Sequence, residues 1–160
     1  MANSSSVIEF KKKVINELIE NDDVVAAISA VEIDYPEDLL YTHIFDYTKA
    51  AKTLSEVGTY ILVEVNIPRI LDKNGVWVEP RLDIFIVTHD QRMQYKIPNG
   101  SRCNRNDYLS ELIDSLLNER SDFGFGQLQL RSNTATVINE IYNCRQLSFA
   151  SKDLNDSRCS

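Results

Sequence analysis

His43 and His89 are the chain's only imidazoles, and neither has a second ligand at metal-like spacing beside it, so no zinc centre is predicted. His89-Asp90 sets a base next to a carboxylate, but consecutive residues of an extended chain point to opposite faces, and the pair reads as a polar turn ending a strand. Asp83 followed by Gln94-Tyr95-Lys96 has an enzymatic reading: on adjacent strands the carboxylate would hold a divalent cation while the lysine polarised an attacking water, as in a metal-dependent nuclease. The simpler reading makes Asp83 a solvent-facing strand residue. Cys103 stands among Arg102 and Arg105, cations that favour a thiolate, yet no histidine is identifiable as its base. It reads as a loop cysteine. Arg102 and Arg105 are either contacts for an acidic patch on a partner or solvated loop charges. Gly124-Phe125-Gly126 lacks the third glycine of a phosphate loop and follows a helical pattern, so it reads as a helix stop. No catalytic residue, metal ligand or cofactor is predicted.

Composition narrows the classes further. Seventeen Lys and Arg against twenty-four Asp and Glu leave a formal charge of -7, which repels a phosphate backbone and excludes a dedicated nucleic-acid binder. Cys103, Cys144 and Cys159 are odd in number and irregularly spaced, a pattern of a reducing compartment rather than of a disulfide framework. Hydrophobic residues at 43% and charged residues at 26% describe a folded globular chain. Its 160 residues predict one domain, with a core over about 7–152 and a mobile tail over 153–160. The first residues do not read as a signal peptide, and no window approaches the roughly 18 apolar residues of a membrane span.

Periodicity then supplies the elements. Val7, Phe10, Val14, Ile15, Leu18 and Ile19 recur at helical steps, with Ser5 or Ser6 as cap, and Asn21-Asp22-Asp23 opens a second helix through Val31. Residues 34–58 have no clean period and hold several aromatics, which suggests an interaction loop in which Tyr35, Phe45 and Tyr47 are either interface anchors or pins that hold the loop onto its own subunit. Ile61, Val63, Val65 and Ile67 alternate with Glu64 and Asn66, a half-exposed strand. Asn74-Gly75 then turns a hairpin into a strand through Val87, which buries either Leu82, Ile84 and Ile86 or the alternate set Phe85 and Val87. Asp107 is predicted to cap a helix with the stripe Leu109, Leu112, Ile113, Leu116 and Leu117, closed by Arg120. Two more strands follow, at 127–130 and 144–149, with 137–142 less regular. The result is an α+β domain: a mostly antiparallel sheet with a projecting β-hairpin, packed against an N-terminal helix pair and one further helix.

Several blocks together resemble the tail terminator, or tail-completion, proteins of the tailed-bacteriophage neck. They are residues 33–39 with 43–47, Arg81 to Met93, Gly100 to Leu109, and Phe123 to Leu130. The likeness spans roughly residues 7–155 and differs at Asp46 and at Cys103-Asn104. It implies a homohexameric virion ring with no enzymatic activity, contacting the tail tube protein below and the head-closure or connector protein above. It also implies assembly in the bacterial host cytoplasm. Viral DNA would pass through the lumen without specific binding, and an acidic wall suits that passage. Asp72 and Lys73 of the Asn-Gly hairpin are candidates to reach that wall or a neighbouring layer. A head-closure or adaptor protein, and a metal-dependent nuclease, are the competing readings.

Overall fold

The computed structural model describes residues 4–28, 33–50, 53–54, 57–70 and 73–154. Helix α1, Ser6–Ile19, turns Phe10, Val14, Ile15 and Leu18 inward, the stripe its sequence spacing sets out. Ser5 holds the N-cap position with helical backbone angles, and its hydroxyl does not cap the first turn. Helix α2, Asp22–Ile28, is capped by Asn21, whose Oδ1 accepts from the Val24 amide at 3.0 Å. The expected continuation to Val31 lies outside the described residues.

The sheet contains strands β1, Ile44–Phe45; β2, Thr59–Ile70; and β3, Trp77–His89. A separate two-stranded ribbon, β4, Gln94–Lys96, with β5, Arg102–Asn104, occupies the stretch expected to be loop. Helix α3, Arg105–Leu117, precedes the outer hairpin of β6, Gln129–Val137, and β7, Tyr142–Ala150. A short strand β8, Asp153–Leu154, pairs with Trp77 and Val78 of β3. The first two residues of the expected mobile tail are therefore tied to the sheet, and the rest of it lies outside the described residues.

Spatial order is β1-β2-β3-β7-β6, antiparallel throughout except for the parallel β1–β2 pair. The α+β architecture read from the sequence is the one observed. Val63 faces Ile84 across β2–β3, which settles the register: Leu82, Ile84 and Ile86 share the main core with Ile61, Val63 and Val65. Phe85 and Val87 belong to the opposite face. The helices cover the first face, α1 over β2 and α3 over β3 and β7. Two aromatics from the Gly124-Phe125-Gly126 region complete that core. Phe125 stacks on Phe10 with centroids 4.4 Å apart, and Phe123 meets Phe10 edge-on at 6.1 Å. The segment is thus a core plug as well as a stop. Gly126 has φ +65, and a Cβ there would meet Ser151 Oγ at 2.6 Å and the Lys152 carbonyl at 2.7 Å, so no other residue fits without movement.

Candidate functional site

The described residues of segment 34–58, expected to face a partner, do much of their work inside their own chain. Phe45 and Leu54 cover the second face of the sheet with Tyr60, Leu62, Val87, Tyr142 and Cys144. The Tyr142 hydroxyl donates to the Leu54 carbonyl at 3.0 Å, which pins the loop where backbone groups would otherwise go unpaired. Phe45 is buried, which corrects its reading as an interface anchor in favour of the alternative, a pin of the loop onto its own chain: the sheet's second face needs an apolar cover, and Phe45 supplies it. Tyr47 stands half-exposed, edge-on to Phe45 at 5.6 Å, while Tyr35 is 67% exposed. His43 stacks on Tyr60 at 5.3 Å.

Arg105 is corrected in the same way. Its guanidinium is buried, donating Nε to the Arg92 carbonyl at 2.7 Å and one terminal nitrogen to the Ala27 carbonyl, and lying 4.6 Å over the Tyr95 ring. Burial pulls its pKa below the ordinary arginine value, and the nearby Arg92 charge adds to that. The residue fastens α2 and the β4–β5 ribbon to the start of α3. The helix cap is Asn104, not Asp107: its Oδ1 accepts from the Asp107 amide at 3.2 Å. Asn and Asp are equivalent as caps by residue type, and only the end of β5 decides between them. Arg102 and Lys73 are exposed, whereas Asp72 lies outside the described residues. Asn74-Gly75 does turn the chain, with Gly75 at φ +70, but the strands it joins end at Ile70 and begin again at Trp77, too far apart for a two-residue turn.

The two chemical constellations do not assemble. Asp83 lies on β3 between Glu64 of β2 and Ser148 of β7, and Gln146 Nε2 donates to it at 3.4 Å. Lys96 sits in the separate β4–β5 ribbon, so the adjacent-strand arrangement a nuclease would need is not formed. The His89 ring accepts from the Gln91 amide at 3.2 Å, and Asp90 accepts from Asn143 at 3.4 Å, which leaves the two engaged in different directions. Among the described residues, no group of three or more His, Cys, Asp or Glu converges. Cys103 has its pKa raised, by desolvation first and the Asp107 carboxylate second, opposite to the effect expected from its arginine neighbours. Arg105 lowers it only in part.

Sequence reading missed the opposite edge of the sheet. Strand β6 is exposed along nearly all of its length, and the turn it makes into β7 presents Val137, Ile138 and Ile141 to solvent. The signal was present in the run Thr134-Ala135-Thr136-Val137-Ile138, rich in β-formers without a turn residue, but its lack of alternation hid a strand that faces water on both sides. Across the molecule, α1 and the turn at Leu40-Tyr41 border a groove of about 400 Å³. Fold and surface together describe an α+β sheet domain that exposes apolar residues at both edges of its sheet, among other places. The chain belongs to the YomW family, whose model matches residues 12–151. That family is named in the manner of a Bacillus phage (SPbeta-like) gene product, which makes this a phage-related protein. A search of curated proteins found no match.

Proposed function

We propose that the protein is a tail terminator subunit, a structural component of the phage neck that assembles with its own copies into a ring, a homohexamer, at the top of the tail tube. In this reading it contacts the tail tube protein on one side and the head-closure or connector protein on the other. It resides in the virion after assembly in the host cytoplasm. The observation that carries the reading is the exposed edge strand β6 with its apolar turn. Its protection is confined to one end, where the single charge Arg131 sits at a register shift between Leu130 and Ser132; the run from Ser132 to Val137 has no charge, bulge or proline to guard it. Such an edge suits a subunit that is covered on assembly. The phage-related family and the acidic balance of -7, compatible with a conduit that does not retain DNA, support the same reading.

Three measurements test it. The native mass of the purified protein should be that of a ring, and electron microscopy of virions carrying a labelled copy should locate it between tail tube and connector. Particles lacking the protein should separate into filled heads and unjoined tails. A label on the capsid side of the connector interface would favour the head-closure assignment, and metal-dependent cleavage of DNA by the purified protein would overturn the structural reading altogether.

A further inference from the structure

The two exposed apolar features differ in shape. At one edge of the sheet the β6–β7 turn is a rigid knob: Asn139 Oδ1 accepts from the Ile141 amide at 2.8 Å and the Tyr142 amide at 2.9 Å. That fixed turn holds Val137, 68% exposed, together with Ile138 and Ile141. Glu140 is exposed beside them. At the other edge, Val7, Ile8 and Ile15 of α1 face Leu40 and Tyr41 across the groove, with Ile8 73% exposed. Tyr41 is held in the left-handed region, φ +61, and its hydroxyl donates to Asp46 Oδ2 at 3.0 Å, so the groove wall is fixed as well. Lys12, exposed, stands at the rim and forms no ion pair among the described residues, whereas its neighbour Lys11 is committed to Glu64 at 2.6 Å.

We propose that copies of this chain join head to tail, the β6–β7 knob of one seated in the α1–Tyr41 groove of the next. Five strands at about 4.8 Å spacing place the two edges roughly 19 Å apart, so a chain cannot fill its own groove with its own knob. Apolar groups meet apolar groups in that arrangement, Glu140 approaches Lys12, and the uncharged part of the β6 edge leading into the knob, Ser132 to Val137, is covered by the neighbour. Both surfaces are pre-organised, so little ordering opposes the contact. Because the joined patches are different, the contact is heterologous, and repetition closes a ring or extends a filament. The proposal deepens the ring reading and rests on its self-assembly; where in a virion the ring sits does not enter.

The test uses the full chain and its native mass across concentration. Ile138→Asp with Ile141→Asp destroys the knob, and Ile8→Asp destroys the groove; all three sites are exposed, so the melting temperature should stay that of the wild type. Each variant alone should be monomeric, and an equal mixture should give a one-to-one dimer that grows no further, because one intact knob meets one intact groove. Glu140→Lys should weaken association about tenfold, and Lys12→Glu in the same chain should restore it. This swap reads out the contact even if the aspartates perturb folding. A wild-type protein that stays monomeric to millimolar concentration, a mixture that remains monomeric, or a groove variant that still assembles through paired β6 edges would each overturn the proposal. If the mixture dimerises but labelled protein lies elsewhere in the virion, the neck assignment fails and the head-to-tail contact stands.

Discussion

Strands β3 and β6 are both long members of one sheet, yet they meet opposite surroundings. β3 lies between β2 and β7, with Leu82, Ile84 and Ile86 against the helices and Val87 under the loop that carries Phe45 and Leu54. β6 pairs only with β7 and shows nearly every side chain to solvent. Burial explains why β3 exists, since each buried branched side chain is worth about 1.5 to 3 kcal/mol relative to exposure. β6 has less of this: Leu130 packs against the core and Asn133 donates to Ser110 Oγ at 3.3 Å, and beyond these it is held by its ladder with β7. The contrast teaches that the sheet has a half buried for stability and a half left exposed, which the proposed assembly would cover, and substitutions should separate the two.

The largest expected effect is on the buried half. Val63 is wholly buried opposite Ile84, so Val63→Asp places an unpaired charge in the main core. The cost should be on the order of 4 kcal/mol or more, enough to unfold a domain of ordinary stability. Urea denaturation checks it; a cooperative transition at the wild-type midpoint would show that β2 does not bury this face. Next comes Phe45→Ala, which empties the second face and should cost about 3 kcal/mol. Tyr47→Ala, at the half-exposed neighbour, should cost under about 1 kcal/mol. Equal losses at the two positions would mean that both are core or both are surface.

Val63 and Phe45 show where the sequence was legible and where it was not. The period-2 pattern of Ile61, Val63, Val65 and Ile67 and the helical stripe of α1 encode burial directly, because each element turns one face to the core. Phe45 carries no such pattern. Its burial depends on a loop folding back over a sheet, a contact between residues distant in sequence, so type alone left it equally suited to an interface. Arg105 was opaque for a related reason: a cation is expected outside, and the carbonyls that receive it come from α2 and the 92–94 turn. At the outer edge the difficulty reversed, since β6 has the composition of a strand without the alternation that burial imposes. The knob and groove were invisible before the fold because they are defined by which strands end up outermost.

Arg105 gives the third test. Arg105→Met keeps the stem but leaves the Arg92 and Ala27 carbonyls without their donor, and the loss should be about 2 to 3 kcal/mol by thermal or urea unfolding. A neutral outcome would make the residue a surface contact after all. Cys144 supplies a pH test of the covered second face. Desolvation pushes its thiol up to about 11 from the ordinary 9.0. A raised folded-state pKa contributes stability that is full below the unfolded value and disappears as pH climbs through the folded one. Unfolding free energy should therefore decline between about pH 9 and 11, by no more than about 2 kcal/mol with solvent screening allowed for. Cys144→Ala should flatten that decline; an unchanged slope would show that the thiol is not covered.

The smallest effect belongs to the exposed half, and it sharpens the comparison most. Thr134 lies in the middle of β6, paired through its backbone with Gln146 of β7 and exposed at its side chain. Thr134→Lys removes no buried contact, so the isolated chain should keep its stability within about 0.5 kcal/mol. A lysine on an open edge is nonetheless one of the devices that prevent another strand or surface from settling there, because its ammonium must stay hydrated. Native mass should therefore shift toward smaller species while the melting temperature stays put. If stability falls by as much as it does for a β3 substitution, β6 is covered within its own chain. If neither stability nor mass changes, the edge is exposed but unused, and the partner-facing half of the sheet shrinks to the knob alone.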